Sequence, residues 1–517
     1  MITLQSDPAG KPLRAPWRQG IAMGRAYELL RHDAREHLRT VQQAFNFQWC
    51  RFHGLFHEDM AVVARRRDGR LIYQWSQVDE VFDFLLSIGL RPFVELNSMP
   101  FALASTPSAM FAWNMNVSPP RSYYEWGALV EAFGLHCMDR YGLEEIRRWH
   151  FEVWNEPNLD CFWKGDQNEY WRLYDASAFA IKRVDPGLRV GGPATARAEW
   201  VIDLIDHCTT DKVPLDFVTT HRYPQDEFVT YRDAGESPHA AGDFFVTEVR
   251  RVQAEVRASS RPDLPVYWTE WNSLACKDAK TVKWINNRAV DDLCSGSSVA
   301  RYSLELDDAS DGMAWWVASD IFEEAGMPMS PFSETYGLLT IHGIPKPSFH
   351  AFTFLSRLRG PRMSVGRGGA LPHGCGIVAT QEGCVIRCVL YNHQPPSVVD
   401  PAIWNSVLQV PWPDKEGLAI AFTVKKDAGS ARETWEQLGA PHNVGDIELA
   451  LLRAAANPAY KYERMQAIGG HLEWSFTLEP NEIAYVEFRA AGESYEPKGA
   501  VKHSNAWDAG MGVGASA

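Results

Sequence analysis

The chain of 517 residues carries 51 Lys and Arg against 65 Asp and Glu, a formal net charge of -14 at neutral pH, with 45% apolar and 22% charged residues. The length exceeds one ordinary domain and predicts a large domain with a smaller companion, and the composition is that of a globular protein. An acidic surface repels nucleic acid and anionic membranes, so neither is expected as a partner, while neutral and cationic ligands stay open.

Residues 1–20 mix Asp7, Lys11 and Arg14 with Pro and Gly and hold no uninterrupted apolar stretch, so no signal peptide is read there. No run approaches the roughly twenty apolar residues of a membrane span. The nine cysteines, Cys50, Cys137, Cys161, Cys208, Cys276, Cys294, Cys375, Cys384 and Cys388, are scattered and show no CxxC spacing. Reduced thiols in a cytoplasmic protein are the expectation. Twenty Trp leave room for sugar-stacking faces, although most Trp in any protein are core.

In chain order, strand-like and helix-like segments alternate. A strand is predicted at 21–24, a helix at 26–45, a strand at 47–53, and a hairpin over 62–73 turning at Asp68-Gly69. A helix at 78–87, a strand at 91–97, a proline-rich loop bearing Phe111 and Trp113, and a helix at 123–141 follow. A strand lies within 145–155, then come a helix at 168–184, a strand at 189–193, a helix at 196–208 and a strand at 216–221. A helix near 244–258, a strand at 265–270, a helix around 282–303, a strand at 312–317 and a helix at 345–358 complete eight strand-helix units. Eight is the count of a closed (β/α)8 barrel, assigned to 18–360. An open doubly wound sheet is the competitor, but it would not place polar residues at the ends of so many strands.

After Gly360 the texture changes. Short extended stretches at 377–380, 384–392, 418–424 and 483–488, joined by Gly, Pro and Asp turns, predict an all-β, sandwich-like accessory domain over 361–490, interrupted by a helix at 446–456. Residues 1–17 are candidates to add a strand to it, and 491–517 read as a loose tail.

The most informative stretch is Trp149 to Trp163. An aromatic, apolar run is broken abruptly by Asn155-Glu156-Pro157-Asn158, which places Glu156 at a strand's C-terminal tip. A carboxyl group in low polarity keeps its proton available and suits acid catalysis. Glycoside cleavage by this route needs a second carboxylate, and the run Tyr267-Trp-Thr-Glu270-Trp-Asn supplies a similar strand-tip Glu. In a barrel the strand ends converge on one mouth, so Glu156 and Glu270 are expected to face each other. A separation of roughly 5 to 5.5 Å would mean double displacement with retention, and roughly 6.5 to 9.5 Å would mean inversion. Retention is the expectation. The bland alternative is a pair of ordinary ion-paired acids.

With these residues stand Arg51-Phe-His-Gly, Pro92-Phe-Val-Glu-Leu, His221-Arg-Tyr-Pro, Trp316-Val-Ala-Ser-Asp-Ile-Phe-Glu-Glu and Gly343-Ile-Pro-Lys-Pro-Ser-Phe. The ordered set resembles glycoside hydrolase family 39, chiefly its bacterial β-xylosidases. An isolated Asn-Glu-Pro is shared by a whole clan of retaining barrels, whereas the ordered set is specific. The resemblance implies Glu156 as acid/base and Glu270 as nucleophile. It also implies that Asn155 bonds the sugar 2-hydroxyl, that Tyr223 donates to the nucleophile, and that His221 reaches the sugar or Glu270. Trp316 would be the platform under the sugar with Trp315 its core partner. Glu324, or less well Glu323, would grip distal hydroxyls, with His53 reaching the same groups. Phe111, Trp113 and Phe162 are candidate pocket walls. Each has a plainer alternative: a turn-forming Asn, a satisfied core His, ordinary aromatic packing.

No cofactor and no metal are expected. His53, His57, His150 and His221 could in principle surround a cation, but His53-x-x-x-His57 lacks the Glu of a zincin helix. The expected substrate is a short xylo-oligosaccharide cleaved from its non-reducing end by a monomer. An α-L-iduronidase is the alternative within the family, and would want an Arg or Lys for the uronate carboxylate. A non-catalytic sugar-binding protein is the alternative from another class.

Overall fold

The computed structural model describes residues 1–224, 240–273, 288–395, 398 and 400–491. Eight parallel strands close into a barrel: β1 Gly20–Arg25, β2 Trp49–His53, β3 Arg91–Leu96, β4 His150–Val153, β5 Arg189–Thr195, β6 Phe217–His221, β7 Val266–Trp271 and β8 Gly312–Trp315. Helices α1 His32–Phe45, α2 Ser76–Ser87, α3 Tyr123–Tyr141, α4 Gln167–Val184, α5 Val201–Thr210, α6 Ala240–Ala258, α7 Leu293–Glu305 and α8 Pro347–Ser356 surround it. This is a (β/α)8 barrel.

Local chemistry explains the elements. Helix α1 buries Ala34, Leu38, Val41 and Phe45, one stripe at helical spacing. Burying a side chain such as Leu38 is worth about 1.5 to 3 kcal/mol. The Asp166 and Glu169 side chains cap α4 reciprocally, and Pro347 opens α8 where its missing N–H costs nothing. At the barrel floor Trp49, Phe93, Phe217 and Tyr267 interlock, with the His150 ring stacked 4.7 Å from Phe93. Gly20 is required beside them, because a Cβ there would lie 2.1 Å from the Trp49 ring.

Two further sheets pack face to face. One carries β9 Ser364–Arg367, the strand Ile2–Gln5, β12 Trp404–Pro411 and β15 His471–Leu478. The other runs β10 Cys375–Glu382, β11 Val385–Asn392, β16 Ile483–Arg489, β13 Glu416–Val424 and β14 Ala459–Gln466. Leu4, Leu408 and Leu472 from the first meet Ile386, Leu390 and Val486 from the second in a common core. Outward-facing Val389, Tyr391 and Tyr485 of the second sheet join the barrel's own core, Tyr485 lying 6.0 Å from Phe354 of α8.

Strand Ile2–Gln5 pairs antiparallel with β9 and parallel with β12, so residues 1–17 do contribute a strand. The hairpin forms as Val63–Arg65 against Leu71–Tyr73. The helix predicted over 26–45 is split, because Arg31 is extended between a 3-10 turn and α1. Similarly, 196–198 form a 3-10 turn before α5. The helix Asp446–Ala455 is accompanied by Arg432–Gln437, which sequence reading missed. Among the described residues no helix is long and apolar enough to cross a membrane, and eight cysteines are free thiols. Cys276 and residues 492–517 of the predicted tail lie outside the described residues.

Candidate active site

Glu156 and Glu270 reach the barrel mouth by different routes. Strand β4 ends at Val153, and the chain turns through left-handed backbone at Trp154 (φ 70) and Glu156 (φ 41). Such φ values are costly for non-glycine residues and persist only where surrounding bonds impose them. Here the Trp154 indole donates to the Phe162 carbonyl at 2.9 Å, and the Glu156 N–H donates to the Ala194 carbonyl at 2.8 Å. Glu270 stays within β7, opposite His221 of β6, where the register shifts by a residue and turns its side chain inward. Both carboxylates are buried, 8% and 4% exposed. One side-chain N or O atom from each of Glu156, His221 and Glu270 lies within 4.8 Å of the other two; His221 bonds Glu156, while Glu270 is bonded by Arg51 and Tyr223.

A buried charge network fixes Glu270. Arg51, fully buried on β2, places Nη1 2.8 Å from Glu270 Oε1, Nε 2.6 Å from Glu152 and Nη2 2.7 Å from Glu95. Desolvation opposes the Arg51 charge, but the three carboxylates outweigh it and push its pKa up. Tyr223 donates to Glu270 Oε2 at 2.7 Å, and burial, then the neighbouring Glu270 charge, raise the phenol far above its usual range. His53 Nδ1 lies 2.9 Å from Glu95 and Nε2 3.6 Å from Glu270. Burial lowers and Glu95 raises the His53 pKa, with a net rise.

His221 bridges Glu156 and Thr269: Nδ1 is 3.0 Å from Glu156 Oε1, and Nε2 is 3.1 Å from Thr269 Oγ1. Burial depresses its pKa to about 4. Asn155 accepts from Arg51 through Oδ1 at 2.8 Å, which leaves its buried amide nitrogen without a protein partner among the described residues.

The walls are aromatic. The Trp316 ring packs 4.5 Å from His53, Phe162 lies 6.0 Å from His53, and Phe111 bridges Phe162 at 4.8 Å to Trp113 at 6.2 Å. Trp315 points away, edge-on to Trp271 in the core. Glu324 sits half-buried at the rim, its carbonyl accepting from Ala112 at 3.2 Å. Its neighbour Glu323 is held by Arg25, which also grips Asp59 and lies over Trp113. Buried Glu28 accepts the Glu323 N–H, and desolvation lifts its carboxyl pKa to about 8.

The model of glycosyl hydrolases family 39 matches residues 1–473. A β-xylosidase of Caldicellulosiruptor saccharolyticus is 38% identical over 431 residues, 82% of this chain and 85% of that protein. A β-xylosidase of Geobacillus stearothermophilus is 32% identical over 497 residues, 91% and 92% of the two chains. The crystal structure of the family 39 enzyme from Xanthomonas axonopodis pv. citri superposes with a TM-score of 0.82 at 30% identity, covering 95% of this chain and 97% of that one. The chain belongs to glycosyl hydrolases family 39. It is a glycoside hydrolase.

The structure brings Glu156, Glu270, Asn155, His53, His221 and Tyr223 together at one mouth, with Trp316, Phe162, Phe111 and Trp113 in its walls, whereas Trp315 packs in the core and Glu324 is placed there through its backbone carbonyl. Of the four histidines weighed as metal ligands, His53 and His221 end their strands at the mouth, whereas His150 begins β4 at the floor. Sequence reading missed the roles of Arg51, Glu95, Glu152, Thr269 and Arg25. Arg51 stands in a quoted motif, but its three carboxylate partners are contributed by other strands.

Proposed function

We propose that the protein is a retaining, exo-acting β-xylosidase that releases β-D-xylose from the non-reducing end of xylo-oligosaccharides. Glu270 attacks the anomeric carbon as the glycosidic C–O bond breaks, and the Glu156 carboxyl proton passes to the departing oxygen. In the second step a water adds to the same carbon from the vacated side, Glu156 takes its proton, and Glu270 leaves as a carboxylate. The observation that carries this reading is that one carboxylate oxygen of Glu156 and one of Glu270 lie within 4.8 Å of each other. Inversion needs about 6.5 to 9.5 Å to admit a water between the carboxyl groups.

The unpartnered Asn155 amide suits a sugar 2-hydroxyl, and the Trp316 face suits the apolar side of a pyranose ring. The family's β-xylosidases support the choice of xylose. An α-L-iduronidase reading would need a cation for the uronate, and Arg25, at the mouth beside Glu323, is already engaged by two carboxylates. The eight free thiols among the described residues support a cytoplasmic address, which cell fractionation checks. A panel of nitrophenyl glycosides tests the substrate: β-D-xyloside should lead, and preference for α-L-iduronide would reject the proposal.

A further inference from the structure

His221 lies between two oxygens of different chemistry, Thr269 Oγ1 at Nε2 and Glu156 Oε1 at Nδ1. The Thr269 hydroxyl owns one proton and has a second partner, Glu152 Oε1, 2.8 Å away. Glu152 is a carboxylate locked on Arg51 Nε at 2.6 Å, so it accepts only. Two oxygens that close repel unless a proton lies between them. Thr269 therefore donates to Glu152, and its oxygen is left to accept from His221 Nε2–H.

That assignment settles the other ring nitrogen. Full burial holds the imidazole neutral near pH 7 against the opposing pull of Glu270. A neutral ring protonated at Nε2 offers a lone pair at Nδ1. The 3.0 Å contact from Nδ1 to Glu156 Oε1 is then a hydrogen bond only when Glu156 supplies the proton. The titratable and charged groups around the ring are Glu156 and Glu152 from β4 and its tip, Arg51 and His53 from β2, and Glu270 from β7. Glu270 Oε2, 3.8 Å from Nδ1, is too distant to share that bond.

We propose that Thr269 is a positioning residue: oriented by Glu152, its hydroxyl fixes His221 as the Nε2–H tautomer and so keeps the transferable proton on Glu156. The proposal rests on reading Glu156 as the acid. The opposite tautomer would donate from Nδ1 to an ionised Glu156 and stabilise the form that cannot protonate a leaving group. In the second half-reaction the same lone pair faces the Glu156 carboxylate and makes it a stronger base towards water.

The test is the pH profile of kcat/KM, which reports the free enzyme, for Thr269→Val, Thr269→Ser and Glu152→Gln on xylobiose and on an activated aryl xyloside. Thr269→Val frees the ring to take the Nδ1–H form. Its alkaline limb should move to lower pH by about one unit, with xylobiose turnover at pH 7 down about tenfold and the activated substrate much less affected. Thr269→Ser should restore the limb. Glu152→Gln can donate to Thr269 and turn its hydroxyl towards His221, so its limb should move the same way. An unmoved limb in either Thr269→Val or Glu152→Gln, or a Thr269→Ser enzyme that behaves like the Val variant, overturns the proposal. Glu156→Ala separates the two readings. Equal loss on both substrates rejects Glu156 as the acid and the Thr269 proposal with it, while selective loss on xylobiose beside an unmoved Thr269→Val limb rejects only the latter.

Discussion

Arg51 Nη1 lies 2.8 Å from Glu270 Oε1 although 219 residues separate them in the chain. The barrel closure makes that contact, and with Glu95 and Glu152 it turns one guanidinium into the frame on which the mouth is set.

Arg51→Met should therefore lower stability by about 3 to 5 kcal/mol, since it strands buried carboxylates without a partner. Arg51→Lys keeps the charge but loses the planar fork that reaches three acids at once, and should recover only part of the loss. Urea denaturation measures both. A change below about 1 kcal/mol in Arg51→Met would contradict the frame role.

Tyr223 donates to the Glu270 oxygen at 2.7 Å. Under the proposed double displacement that oxygen regains its negative charge as it leaves in the second half-reaction, so Tyr223→Phe should slow this step about 10- to 100-fold. With an activated aryl xyloside the variant should show a burst of phenol followed by slow turnover. Slowing of the first step alone, with no burst, would refute the prediction.

Both carboxylates were legible from sequence because each sits where an aromatic, apolar run meets turn residues. Arg51, Glu95 and Glu152 were not, because a charge inside a short strand reads as solvent-facing until the partner strands are known. His471–Leu478 buries every second residue from Leu472 onward and could have been read as a strand. Ala459–Gln466, exposed on nearly every residue at a sheet edge, carries no periodic signal to read.

Burial holds both His221 and His350 at a pKa of about 4, below the ordinary imidazole value of 6.5. The unfolded chain then binds more protons between those values, so stability rises with pH across that window and falls as pH drops from about 6.5 to 4. Each histidine should cost about 3 kcal/mol over that range. His350→Gln can keep the bond to the Ala456 carbonyl, 2.7 Å from His350 Nε2, while removing one titration. Its Tm should fall less between pH 6.5 and 4 than that of the wild type; an equal fall would contradict the assignment.

Lys346, fully buried, joins Asp291 at 2.5 Å and Asp320 at 2.7 Å beneath the segment that follows Trp316, and Arg432 of the sandwich side reaches the same Asp291 at 3.1 Å. Lys346→Met leaves two buried carboxylates short of a cation and should destabilise the protein by about 3 to 5 kcal/mol. Thermal unfolding checks this, and an unchanged Tm would count against it.

The most direct measurement concerns Glu270 itself. In Glu270→Gly, hydrolysis of an activated aryl β-xyloside should vanish, and added azide should restore phenol release with α-xylosyl azide as the product, identified by proton NMR. A variant that keeps full activity without azide, or one that yields the β-azide, would contradict covalent catalysis by Glu270.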